Sequence, residues 1–361
     1  MLSYFLKKIG YTLITLFGVI TVIFFLFNVF AEPAQMMLGQ NATQEQVQVI
    51  NKKYGFDLPL SKQYVCYLND LSPLSIHSRT PTDFTFYNNK VYGGIPFFKT
   101  KDFSLVFKFP YLRTSFQKSG KPVSQIIKDT FPNTVVLASI SITIALVLGV
   151  ILGIFGALYK DSWLDKLIQL MSIFGMSVPS FFSAIIFAWL FGFVFQSYTG
   201  LSMTGSLYEL DDFGEGLQLR LDHIILPAIV LGIRPLAVVS QLMRNSLLEV
   251  LSLDYIRTAK AKGLSTFAIV YRHALKNALN PVVTAISGWF AGLLAGAVFV
   301  EFIFGWNGIG KELVDALNTS DLPVVMGIVV VIAFTFIMIN ILVDFVYVFL
   351  DPRIKLNTSI N

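Results

Sequence analysis

Six stretches of this chain run apolar for longer than any strand or half-buried helix requires: residues 9–30, 133–159, 167–198, 223–243, 281–300 and 322–350. A helix rises about 1.5 Å per residue and the hydrocarbon core of a bilayer is about 30 Å thick, so about 20 apolar residues cross it. The pattern predicts six transmembrane helices separated by polar segments of very unequal length. The third stretch holds 32 residues without a charge, and Pro179 inside it should kink the helix or split a short segment from the main crossing. The first stretch carries 22 uncharged residues, more than the roughly 7–15 of a signal-peptide core. It is read as a retained span with Lys7 and Lys8 at its cytoplasmic start.

Composition agrees with lipid as the solvent. Of 361 residues, 55% are hydrophobic and 14% charged, against about a quarter charged in soluble proteins. One Cys (Cys66) excludes an internal disulfide framework, and three scattered His (His77, His223, His273) exclude most His/Cys metal sites. The net charge of +5 matters through where the cations sit. With the N-terminus inside, the cytoplasmic segments hold 12 Lys/Arg, while the two short outer loops hold only Arg220 and Lys311 and are acidic, with Glu209, Asp211, Asp212 and Glu215 among them. Both termini are therefore expected in the cytoplasm. The resulting map is 1–30, N-terminus and first span; 31–132, an extracytoplasmic domain; 133–350, a five-helix core with a cytoplasmic loop at 244–280; and 351–361, a cytoplasmic tail. Within the external domain a helix is expected around 44–53 and strand structure in the alternating runs 83–87 and 104–109.

The 244–280 loop reads as two helices around one glycine. Leu248, Leu251, Tyr255 and Ala259 share a face at helical spacing, and Arg257 points the opposite way. Lys260 and Lys262 fall in the last turn, favourable for the helix dipole. Gly263 supplies a left-handed cap, Ser265 caps a second helix over 266–279, and Asn280-Pro281 stops it. The product is a rigid basic hairpin suited to passing a push from a soluble partner into the bundle.

The segment DYIRTAKAKG, followed by LSTFAIVYRHALKNALNPVVT, resembles the cytoplasmic loop of ABC importer permeases, and within them the dipeptide/oligopeptide/nickel branch. The family's E-A-A triplet reads here Arg257, Thr258, Ala259, with Gly263 at the glycine position; the Glu is absent, and Leu275 is followed by Lys276 rather than Pro, as is typical of that branch. Residues 41–68, 300–317 and 342–356 resemble the segments after the first and fifth spans and the C-terminal ending. The resemblance fails over 72–110, where an insertion is expected. It implies an all-α membrane protein of the type I importer permease fold, six helices with an external α/β insertion between the first two, in a bacterial inner membrane. It implies that Asp254, Tyr255, Arg257, Thr258, Ala259, Lys260, Lys262 and Gly263 couple the chain to ABC ATPase subunits. Those subunits would bind the ATP, leaving no cofactor here. The other implied partners are a second permease, expected to be a distinct homologue, and an extracytoplasmic solute-binding protein. The implied cargo is a short peptide; nickel chelates or another small solute are the alternative.

Several motifs carry bland readings beside sharp ones. Gly305, Gly310 and Lys311 match G-x-x-x-x-G-K, but Glu312 stands where the magnesium-binding Ser/Thr belongs and no strand precedes the loop, so it is read as shaping the external mouth. Arg234 beside Pro235 is mid-span, where a cation costs about 2.5–3.5 kcal/mol; it either faces the translocation path or anchors to backbone carbonyls and water. Asp344 is read as a structural pairing residue. Gly288, Gly292 and Gly296, like Gly149 and Gly153, are read as close helix packing, within the bundle or between permeases, rather than as path lining. The cations flank membrane or lie in the loop, so nucleic acid is not expected. A membrane enzyme lacks its motifs here, with no G-x-S-x-G, no H-E-x-x-H and no paired membrane carboxylates. A self-contained channel or secondary transporter lacks the inverted repeat.

Overall fold

A computed structural model describes residues 2–29, 33–38, 42–81, 83, 85–211 and 216–350. Among the described residues, four helices are long and apolar enough to cross a bilayer, with spans at Gly10–Phe27, Val123–Leu158, Leu221–Leu251 and Leu322–Val343. Two bent pairs, Trp163–Ser177 with Ser180–Val194 and Asn280–Leu294 with Val298–Phe304, bring the number to six when each pair counts as one crossing. The first pair turns through 107°. Val178 and Pro179 occupy its break in extended conformation, so the proline splits the third apolar stretch as its missing N–H requires. The second crossing begins at Val123, ahead of the apolar run, with Pro132 inside the helix. The chain divides into two compact units, residues 1–129 with 313–334 and residues 130–312 with 335–361.

In the first unit, Ile23 and Phe24 on the helix Leu2–Val29 are buried together with Tyr67, Met326 and Val330. The Phe24 ring lies 5.1 Å from Tyr64 and 5.5 Å from Tyr67, and the Thr21 and Tyr64 hydroxyls are 2.6 Å apart. The helix Leu60–Leu71 thus seats on the first crossing through its tyrosines. The helix Gln44–Tyr54 starts on a capping box between Thr43 and Gln46 and ends on Gly55 at φ 71°, one residue beyond the range expected. Strands β1 (Leu74–Ser78), β2 (Ile95–Lys99) and β3 (Phe103–Phe107) form an antiparallel sheet in the order β1-β3-β2. Its register groups Ser75 with Val106 on the buried face, and Leu74, Phe107 and Ile95 with Ile76 and Phe98 on an exposed apolar one. The run 83–87 is no strand: Asp83 accepts from the Thr85 backbone N–H at 3.0 Å and from its hydroxyl at 3.1 Å, an Asx-type turn, and only Phe86 bridges Ser78. Buried Asp321 accepts from the Ser115 hydroxyl and from the backbone N–H groups of Phe116 (3.0 Å) and Gln117 (3.3 Å).

In the second unit, Ile225–Leu251 is the central helix, its buried face running from Leu226 to Val250. Gly149 and Gly153 lie against it: a Cβ at either would stand 2.6 Å from Val239 Cγ1 or Met243 Cβ, so close packing requires glycine there. Gly288 and Gly292 do not repeat this, since a Cβ at either meets nothing within 4 Å. Of the packing expected for them, within the bundle or between permeases, the in-bundle kind is not found among the described residues. The surroundings of Gly296 and Asp344 lie outside the described residues.

Candidate coupling surface and its supports

The helix Ile225–Leu251 runs well past the predicted membrane boundary at 243, so Arg244, Leu248 and Leu251 belong to it rather than to a separate loop helix. Leu253 turns the chain into extended conformation at φ −72°, ψ 151°, and Asp254–Ala261 is a short second helix. This break resets the helical phase. Ile256 (0% exposed) and Ala259 face the core formed with Leu247, Val250, Ile269 and Ala274, while Tyr255 is 40% exposed. The expected stripe through Tyr255 is therefore corrected: 3.6-residue spacing counted from Leu248 does not survive two non-helical residues. Asp254, Arg257, Thr258, Lys260, Lys262 and Gly263 are all exposed, a charged surface on an apolar anchor. The Arg257–Asp254 pair at 3.2 Å is fully in solvent, where such pairs contribute little.

The turn is set by hydrogen bonds. Gly263, at φ 78°, donates to Lys260 O (2.9 Å), and Leu264 N–H donates to Ala259 O (3.3 Å), a Schellman motif that needs the left-handed residue. Ser265 Oγ accepts from Ala268 N–H at 3.4 Å and opens the second arm. Across the hairpin, Tyr255 Oη accepts from Asn277 Nδ2 (3.0 Å) and donates to His273 O (3.4 Å). The second arm is not one helix over 266–279. Thr266–Ile269 passes through a π turn at Val270–Ala274 into Leu275–Ala278, and after Leu279 the helix Asn280–Gly296 follows directly. The arm ends at Ala278, ahead of Asn280-Pro281 as expected, and Pro281 sits in the first turn of the next helix, where a proline forfeits only an N–H that has no helical partner. On this arm Phe267 and Tyr271 stack with rings 6.1 Å apart and line, with Ile154, Leu158 and Tyr159, an apolar hollow of about 440 Å³.

Beneath the hairpin sits a clamp that sequence reasoning did not single out. Arg244 donates from Nε to Asp165 Oδ1 at 2.6 Å and from Nη2 to Oδ2 at 2.7 Å, and Asp165 is 1% exposed. Gln169 Nε2 and Asp161 N–H complete the carboxylate's partners at 2.9 and 3.0 Å. The bidentate fork fixes the C-terminal part of the central helix to the start of Trp163–Ser177. Seventy-nine residues separate the partners, and no local pattern announces such a pair.

Arg234 is exposed and donates to Met176 O at 3.4 Å, next to the broken end of Trp163–Ser177. That contact lies at a helix C-terminus, which favours a cation. The glycine loop at 305–311 wraps an acidic side chain, one of the chain's own. Glu301 (0% exposed) accepts on Oε2 from Gly310 N–H at 2.7 Å and from Lys311 N–H at 3.3 Å. Trp306 Nε1 donates to Asn133 O at 3.1 Å, and Ile309 N–H donates to Thr134 Oγ1 at 2.9 Å. A Cβ on Gly310 would lie 2.5 Å from Val298 Cα. The loop is packed shut around a carboxyl group of the chain itself. Among the described residues no three His, Cys, Asp or Glu gather as a metal site.

The chain matches the family model for binding-protein-dependent transport system inner membrane components over residues 145–356, and the N-terminal model for such membrane components over residues 1–80. It is 31% identical to the dipeptide transport system permease protein DppB of Alkalihalophilus pseudofirmus, across 98% of this chain and 100% of that one. It is 32% identical to the probable D,D-dipeptide transport system permease protein DdpB of Escherichia coli, across 90% and 88%. Among solved structures, the inward-facing MetNI methionine ABC transporter shares 14% identity at a TM-score of 0.48, across 63% of this chain and 97% of that one.

Proposed function

The chain belongs to the family of binding-protein-dependent transport system inner membrane components, and from that premise we propose that it forms half of the path by which an ABC importer takes up short peptides. It is a multi-pass permease of the inner membrane. The hairpin Asp254–Gly263 carries the reading of how it works: its polar side chains point to solvent while Ile256 and Ala259 root it in the core of the second unit. A force applied to such a helix by an ATPase subunit passes into the central helix rather than into a loose loop. Lys260, Lys262 and Arg257 give that surface a cationic character, and the positive-inside distribution supports cytoplasmic termini and a cytoplasmic hairpin.

ATP is bound and hydrolysed by the ATPase subunits, a binding protein delivers the peptide outside, and a second, non-identical permease completes the path. The open face at Gly288 and Gly292 is offered to that second permease. The dipeptide systems named among the relatives support the cargo.

Reconstitution tests this directly. With ATPase subunits, second permease and binding protein present, labelled dipeptide uptake should require ATP. Arg257→Glu should leave the chain inserted while uncoupling hydrolysis from uptake. Equal uptake by wild type and Arg257→Glu, or uptake without any ATPase, would overturn the reading.

A further inference from the structure

The external part of the first unit contains a cleft of about 590 Å³ that plays no part in the coupling described above. That volume is within the roughly 300–1,000 Å³ of small-ligand sites. Lys52 and Lys53 come to it from the last turn of Gln44–Tyr54, Arg113 from the chain after the sheet, and Tyr92, Tyr111 and Phe116 give it aromatic walls.

Arg113 is held in an unusual way. Its backbone is left-handed at φ 64°, a conformation that costs a non-glycine residue energy and persists only where surrounding structure enforces it. Its carbonyl accepts from Val123 N–H at 3.1 Å, and its guanidinium lies over the Tyr67 ring at 5.8 Å. Only Nε is committed, donating to buried Asp70 Oδ2 at 3.2 Å; Nη1 and Nη2 have no hydrogen-bond partner among the described residues. Guanidinium N–H groups presented in a fixed plane match a carboxylate. The two acidic residues of the cleft do not compete for an anion's place. Asp70 is engaged by Arg113, and Asp83 is turned into its own loop by Thr85. Burial, reinforced by the Asp70 carboxylate, pushes the Tyr111 phenol up to about 12, so it stays a neutral hydroxyl beside the cations.

We propose that this cleft binds the C-terminal carboxylate of a short peptide, Arg113 taking the carboxylate with Lys52 and Lys53, and the aromatic walls taking the terminal side chain. The chain would then hold its cargo outside the membrane independently of the binding protein. The proposal rests on the reading that the cargo is a short peptide.

The test uses the full chain in lipid nanodiscs without its partners, titrated with Ala-Phe and with the C-terminal amide of Ala-Phe. The free acid should bind saturably and the amide about tenfold or more weakly, the loss of one charge-assisted contact. Lys52→Gln with Lys53→Gln, both exposed and remote from the core, should weaken the acid several-fold and leave the amide unchanged. Arg113→Gln should abolish the preference for acid over amide; because it also leaves Asp70 without its cation, the lysine variant stands as the check that folding is not the cause. Equal binding of acid and amide, or no saturable binding of either, overturns the proposal. Dipeptide uptake by the assembled transporter without binding to the chain alone sinks the cleft and spares the transport reading. Binding without uptake does the reverse.

Discussion

Arg244→Met tests whether the hairpin stands on a fixed base. The substitution keeps most of the side chain's length and removes its charge, leaving Asp165, 1% exposed, with only the Gln169 amide and the Asp161 N–H as donors. Breaking one side of a buried pair costs about 3–5 kcal/mol, largely because a charge is stranded. Arg244 is 15% exposed, which places the cost toward the low end, about 3 kcal/mol. At about 1.4 kcal/mol per decade, local opening should become about 150-fold more frequent. Hydrogen exchange at residues 161–169 reads that opening directly. Removing both charges with Arg244→Met and Asp165→Leu strands no charge, leaving only the Gln169 amide and the Asp161 N–H without their acceptor, so the double variant should exchange no faster than Arg244→Met alone. Strictly additive effects, or exchange in Arg244→Met indistinguishable from wild type, would refute the clamp.

Gly263→Ala forces a methyl-bearing residue to φ 78° and should cost the hairpin about 1–2 kcal/mol; uptake should fall with unchanged membrane insertion, and unaltered uptake would show that the turn is not held as described. Tyr255→Phe removes the hydroxyl between Asn277 and His273 and should loosen the two arms by about 1 kcal/mol, seen as faster exchange over 254–263 with Gly263 still capping. Glu301→Ala strands the N–H groups of Gly310 and Lys311 at about 1–3 kcal/mol for each buried donor, so limited proteolysis should cut within 305–311, while Glu301→Gln, which keeps an acceptor, should resist. Cleavage equal in both variants would mean the loop is held by something else.

Features written locally were legible before any coordinates. Apolar runs marked the crossings, Pro179 marked the broken one, Thr43 with Gln46 marked a helix start, and Gly263 with Ser265 marked the hairpin turn, because each depends on residues within one or two turns of chain. What failed depended on phase or on distant partners. The break at Ser252–Leu253 shifted the buried face from Tyr255 to Ile256, and Asp83 closed a turn where alternation suggested a strand. Pro281, expected only to end the arm, also opens the next helix. Asp165 with Arg244, Arg234 with Met176 O, and the carboxylate inside the 305–311 loop are tertiary meetings. The glycine loop is the instructive one: its backbone N–H groups do gather around an acceptor, as the motif suggests, but the Glu301 carboxyl group fills that role.

The sheet leaves Leu74, Ile76, Ile95, Phe98 and Phe107 on one bare plate. Cut free of its helices and made as a fragment, residues 31–132 would carry a greasy surface into water and clump through it. Anyone hunting ligands for this segment should keep it attached to the rest of the chain and in detergent or lipid.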